Sequence, residues 1–220
     1  MNVAVLDIVR TLPLHSWTPI EWGHAVLREP IPLLMDHAFL EKKAANNALV
    51  LMTRWPMEWV PGWVETMTSV ARDETAHLAK VVRLLIRRGG RLDRMHTSEY
   101  ANSLRQLVRK GGPPEILDRL LVSALIEVRS CERFSVLAQA AEPADKELAT
   151  FYKSLFSSEL GHYKVFLQLA YKIADKDAVE GRWQQLLVSE ALILSQQLPG
   201  PRIHSNPRSA GGMIIYEDGQ

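Results

Sequence analysis

Two short segments each set a glutamate three residues before a histidine. "DETAHL" at 73–78 holds Glu74 and His77, and "SELGHY" at 158–163 holds Glu159 and His162. On a helix that spacing turns both side chains to one side. A single such pair is most often a solvated surface pair, so its meaning depends on partners elsewhere. Glu41 lies 33 residues before Glu74, and Glu127 lies 32 residues before Glu159. The two Glu-x-x-His segments are 85 residues apart and the two lone glutamates are 86 apart, so the pattern occurs twice at nearly one spacing. Four carboxylates and two imidazoles gathered in an interior would cost several kcal/mol per unpaired charge, or would take up protons. Two divalent cations balance four carboxylates. With two bridging carboxylates, two terminal ones and one imidazole per metal, a two-metal site keeps coordination positions open. Oxygen and imidazole donors suit iron or manganese.

The elements that must position these residues read as long helices punctuated by proline and glycine. The pattern predicts helices over about 32–54, 61–88, 114–141 and 145–173, each carrying one of the four glutamates. A shorter helix over "EYANSLRQLVRK", capped by Thr97 or Ser98 and closed by Gly111-Gly112, joins the second to the third. A last helix is expected over 177–198. No stretch alternates with a period of two for long enough to be a strand. The fold class is therefore all-α, a ferritin-like four-helix bundle with additional short helices. On the first long helix His37, Glu41, Ala44 and Ala48 share a face, and on the third Ala124, Glu127, Cys131 and Phe134 do. Both lone glutamates thus lie in small or apolar stripes that should face the core. Glu132, five residues past Glu127, should point elsewhere, and His37 is placed to partner Glu41 one turn away. The remaining histidines, His15, His24, His96 and His204, match no ligand spacing. Tyr163 and the tryptophans at 55, 59 and 63 are expected to be packing residues.

The 220 residues read as one domain, 1–220, with an irregular arm over 1–30 and an extended tail over 199–220. A hydrophobic content of 47% and a charged content of 23% are ordinary for a globular chain. The single cysteine, Cys131, excludes an intrachain disulfide and a cysteine-built metal site, and fits a cytoplasmic protein. No apolar run is long enough to span a membrane. The first fifteen residues carry Asp7 and lack the basic start of a signal peptide.

Charge is distributed unevenly. Between residues 83 and 110 stand Arg83, Arg87, Arg88, Arg91, Arg94, Arg105, Arg109 and Lys110, against only Asp93 and Glu99, in a chain whose net charge is +1. A basic lobe beside a metal site would suit a phosphate backbone. Solvation of a helix end explains the same residues equally well.

The segments "HAFLEKKAANNAL", "ARDETAHLAKV", "RRGGRLDRMHTSEYANSLR", "ALIEVRSCERF" and "SELGHYKVF" resemble the MiaE family of tRNA 2-methylthio-N6-isopentenyladenosine hydroxylases. The resemblance covers about residues 30–195. It implies a ferritin-like fold and a di-iron centre held by Glu41, Glu74, His77, Glu127, Glu159 and His162. It also implies oxygen-dependent hydroxylation of the isopentenyl group on the adenosine next to the anticodon. The expected cofactors are then two iron ions, with manganese possible, and O2 as co-substrate. An external electron donor is required, because the chain has no flavin or iron–sulfur motif. The expected partners are the tRNA anticodon stem-loop and a redox protein, with no membrane. A ferroxidase or iron-storage protein of the same fold, and a metal-free helical RNA-binding protein, are the alternatives.

Overall fold

The structure, a computed structural model, describes residues 8–54, 58–92 and 97–207. Seven α-helices lie wholly within them: α1 (Ile20–Val26), α2 (Pro30–Met52), α3 (Trp63–Arg87), α4 (Glu99–Gln106), α5 (Gly112–Ala141), α6 (Lys146–Ile173) and α7 (Lys176–Ser195). The four long helices α2, α3, α5 and α6 are those expected, each within a few residues of its expected ends. Proline occupies the first turn of α2 and of α5, where the missing N–H would have had no intrahelical acceptor. Asp145 caps α6 by accepting from the Leu148 N–H at 3.0 Å, and Ser98 caps α4 by accepting from Ala101 at 3.3 Å. The α3 terminus closes with Gly89 at φ +80°, donating to the Ile86 carbonyl while Gly90 donates to Leu85. That is the left-handed helix stop glycine permits.

The bundle is two hairpins, α2 packed along α3 and α5 along α6. Its interior splits into two apolar clusters. One holds Leu51, Trp63, Met67, Leu121, Leu125 and Phe166 with Val179 and Leu186 of α7. The other holds Trp22, Leu33, Leu34, Leu85, Leu137 and Leu155. The four predicted glutamates come from mid-helix positions between these clusters.

Three expectations need correction. The arm is not irregular throughout: α1 packs on α5, with Trp22 and Gly23 buried. A Cβ on Gly23 would stand 2.8 Å from the Ala140 Cβ, so glycine allows this close approach. Gly23→Val is expected to destabilise the protein by about 1–3 kcal/mol through overpacking. It should lower the melting temperature by several degrees; an unchanged melting curve would show that α1 docks without needing this contact.

The tail is not extended over its described part, 199–207. It turns back, burying Ile203, whose N–H donates to Asp36 Oδ2 at 2.8 Å, and Ser205, whose carbonyl accepts from Arg133 at 2.9 Å. Among the tryptophans, Trp63 is an anchor, fully buried and bonded to the Leu51 carbonyl, whereas Trp59 is 64% exposed. Trp55 and His96 lie outside the described residues.

A buried ionic network ties these added pieces to the bundle. The fully buried Arg129 donates to both oxygens of Glu190 on α7, at 2.8 and 2.9 Å, and to Glu132 at 3.0 Å. It also donates to the carbonyl and hydroxyl oxygens of Ser16 in the arm. Glu132 in turn accepts from the N–H and hydroxyl of Thr18. Arg133 lies 4.0 Å over the Trp22 ring. Glu132 therefore points away from Glu127, as its helical phase requires.

Candidate metal centre

The six residues singled out by spacing converge. Glu41 comes from α2, Glu74 and His77 from α3, Glu127 from α5, and Glu159 and His162 from α6, and all six are buried. Their donor atoms form two overlapping groups, each within 4.8 Å: Glu41, Glu74, His77 and Glu159 in one, Glu74, Glu127, Glu159 and His162 in the other. Glu74 and Glu159 belong to both groups. Each group adds one further carboxylate and one imidazole. The geometry thus offers two adjacent four-donor positions sharing two carboxylates.

Both imidazoles aim Nδ1 inward. His77 Nδ1 stands 3.1 Å from Glu159, 3.6 Å from Glu41 and 3.7 Å from Glu74. His162 Nδ1 stands 2.6 Å from Glu74. Buried Glu74 Oε1, Glu159 Oε1 and both Nδ1 atoms have no hydrogen-bond partner that satisfies them. Orphaned donors and acceptors converging on one place are what a bound cation would satisfy.

The electrostatics point the same way. Burial and the neighbouring Glu159 and Glu74 charges hold Glu41 well above the usual carboxylate range, against the opposing pull of His77. Burial, with Glu74 and Glu159 beside it, does the same to Glu127. Burial acts to raise Glu74 too, but the adjacent His162 and His77 rings hold it at about 2. His77, despite burial, is pushed up to about 12 by Glu159, Glu41 and Glu74. Four carboxylates are more negative charge than two imidazoles can offset, and cations are the natural balance.

Around the cluster, His37 Nε2 lies 2.5 Å from Glu41 Oε1, the pairing expected from their one-turn spacing. Burial lowers the His37 pKa to about 4, which keeps the ring neutral beside Glu41. The His37 ring stacks on Tyr152 and tilts against Phe134. Asp73 escaped the sequence reading. Its Oδ2 reaches to 3.7 Å from His162 Nε2, and the only signal was its place directly before Glu74. Tyr163 packs by stacking on Trp183.

The basic segment does not form one free lobe. Arg87 pairs with Glu147, and Arg88 with Asp145 and Glu147. Arg109 makes a two-pronged pair with Asp118. Arg83 and Arg87 lie on α3, whereas Arg105 lies on α4, which packs on α5 and α7. Arg105 and Lys110 are exposed there, Arg91 is exposed beyond the α3 terminus, and Arg94 lies outside the described residues. The glycine turn at 89–90 sends the charges to different faces.

Helices in two hairpins around a buried carboxylate–histidine cluster define a ferritin-like bundle with metal-binding capacity. A sequence model of the family described as tRNA-(MS[2]IO[6]A)-hydroxylase (MiaE) matches residues 6–205, and the chain belongs to this family. It is 36% identical over 188 residues to a Pseudomonas putida protein named tRNA 2-(methylsulfanyl)-N(6)-isopentenyladenosine(37) hydroxylase, covering 86% of this chain and 89% of the relative. A Salmonella typhimurium protein of the same name is 30% identical over 247 residues, covering 90% and 89%. Among solved structures, a Synechococcus protein with aldehyde deformylating oxygenase activity superposes with a TM-score of 0.83 at 31% identity, covering 93% of this chain and 98% of that one. No described helix is long and apolar enough to cross a membrane.

Proposed function

We propose that the protein is a di-iron monooxygenase that hydroxylates the isopentenyl side chain of 2-methylthio-N6-isopentenyladenosine next to the anticodon of tRNA. The observation that carries the metal assignment is the pair of four-donor groups sharing Glu74 and Glu159. The family and the names of both relatives supply the substrate. In this reading Glu41, Glu74, His77 and Glu159 would hold one metal, and Glu74, Glu127, Glu159 and His162 would hold the other.

Bound iron supplies the redox chemistry that activates dioxygen. Overall, one C–H bond, O2, two electrons and two protons yield one C–OH and one water. The electrons come from an external donor, since Cys131 alone cannot hold an iron–sulfur cluster. The chain's own residues set the conditions. The carboxylates would neutralise the metals, and the buried His37 ring, hydrogen-bonded to Glu41, fixes that side chain. The apolar clusters above and below the centre exclude water. In this reading the protein acts in the cytoplasm.

The test is direct. Iron-loaded protein, reductant and O2 act on tRNA carrying the methylthio-isopentenyl nucleoside, and the digested nucleosides are weighed for one added oxygen. No gain of oxygen by an iron-replete protein would remove the proposal. The Synechococcus similarity supports a second reading, an aldehyde deformylating oxygenase activity. A parallel aldehyde assay separates the two: turnover of aldehyde with untouched tRNA would select the second. An iron-storage role would instead show as a shell of many subunits on gel filtration.

A further inference from the structure

One wall of the metal centre is the seam between α3 and α6. The flank of α5 away from α6 is covered by α1, α4 and α7, with the arm and tail tied in through the Arg129 and Arg133 contacts. Among the described residues no third helix packs substantially against both α3 and α6. These helices run antiparallel: Arg87 at the end of α3 pairs with Glu147 at the start of α6, while Asp73 lies against His162 near the middle. Helical phase then fixes what faces the seam. Asp73, Ala76, Lys80 and Arg87 share the shoulder of α3 turned to α6. Ser154, Ser158 and Gly161 share the shoulder of α6 on which Glu147 lies.

Over the centre itself the side chains are therefore short. A Cβ on Gly161 would meet nothing within 4 Å. Beneath it the buried His162 Nε2 has no hydrogen-bond partner, and its nearest charged neighbour, Asp73, is 38% exposed.

The charge on this face is one-sided. From 148 to 173, α6 carries a single acid, Glu159, which points inward. Exposed Lys80 and Arg83 on α3 and exposed Lys164 on α6 make no ion pair among the described residues. The Asp73 carboxylate is partly offset by Arg72, at 3.2 Å.

We infer that RNA docks on this α3–α6 face, with Lys80, Arg83 and Lys164 on the phosphates flanking the target nucleotide and the everted base entering over Gly161 toward His162 and Glu159. The inference rests on the proposed tRNA reaction and supplies its docking surface and its aperture. Loop nucleotides are recognised by splaying the base out of its stack, and cations on either side hold the backbone without reading sequence. A base can approach a buried centre only where the intervening side chains are small, and the seam at Ala76, Ser158 and Gly161 meets that need.

The experiment measures binding of a fluorescent anticodon stem-loop to the iron-loaded full chain, with oxygen excluded so that nothing turns over. Two RNAs are compared, with and without the isopentenyl group. The Lys80→Glu/Arg83→Glu variant should bind both RNAs at least about tenfold more weakly, with a salt slope reduced by about 2, since each cation contributes about one unit. Gly161→Phe should keep the affinity for the unmodified loop and lose the gain that the isopentenyl group adds. Ser158→Trp should repeat that result, and iron content and circular dichroism confirm that both variants fold.

Parental RNA affinity in the charge-reversed variant overturns the docking face, and a retained isopentenyl gain in both bulky variants overturns the aperture. If RNA affinity is unchanged but reduction by an acidic iron–sulfur donor protein slows, the face belongs to the electron donor and the RNA inference is wrong. The reaction is judged separately: a protein that binds as described yet adds no oxygen keeps the face and loses the proposed chemistry.

Discussion

Glu74→Ala is expected to remove most of the bound iron, whereas His162→Ala should remove roughly half, starting from about two metal ions per chain. The difference follows from how the donors are shared. Glu74 belongs to both four-donor groups, so its loss takes a ligand and a negative charge from each position at once. His162 belongs to one group, so the position built from Glu41, Glu74, His77 and Glu159 keeps its full set. Anaerobic iron loading followed by metal analysis reads both numbers. Glu74→Gln, which preserves side-chain volume, should lose metal as Glu74→Ala does, which separates the loss of a ligand from the opening of a cavity. Hydroxylation should fall with iron content in each case. Full occupancy in Glu74→Gln would show that the metals sit elsewhere, and equal losses in Glu74→Ala and His162→Ala would show that the two carboxylates are not shared.

The centre was legible because its ligands repeat. Glu41 and Glu127 have no local signature of their own. They stand out because each precedes a Glu-x-x-His by nearly the same distance and falls on an apolar helix face, two conditions the competing Glu132 fails. The long helices were legible because proline and glycine mark their ends.

What escaped was long-range or short. α1 is only seven residues, below the length at which a helical period declares itself, and it persists through tertiary contacts of Trp22 and Gly23. The tail is fixed by Asp36 and Arg133, residues far away in sequence. In "IEVRSCERF" nothing local marks Arg129, which is satisfied by Ser16, 113 residues before it, and Glu190, 61 residues after it. No period links such positions. The basic segment is only partly legible for a related reason. A count along the chain cannot show that Arg88 and Arg109 are engaged by Asp145 and Asp118, while Arg83 within the segment and Lys80 and Lys164 outside it make no ion pair among the described residues.

The Arg129 network makes the second large prediction. Glu190→Ala leaves a fully buried guanidinium with Glu132 and Ser16 but without its two-pronged partner, and it also strips the acceptor from the buried Tyr100 hydroxyl. Removing one member of a buried ion pair typically costs about 3–5 kcal/mol, because the remaining charge stays desolvated. At about 2–4 °C per kcal/mol for a chain of this size, the melting temperature should fall by roughly 6–20 °C. Replacing both charges, Arg129→Met with Glu190→Met, should recover part of the loss, since no isolated charge is then left between them. Recovery should stay incomplete, because Glu132 loses its Arg129 bond and keeps only Thr18 and a longer contact to Arg133. The ranking, parent above the double variant above Glu190→Ala, is read from thermal melts of the metal-free proteins. A double variant no better than Glu190→Ala would mean that lost packing rather than the orphaned charge sets the cost. Iron stoichiometry should stay at the parental level in both variants below their melting points, because the network anchors the arm and α7 to α5 and contributes no donor to the centre.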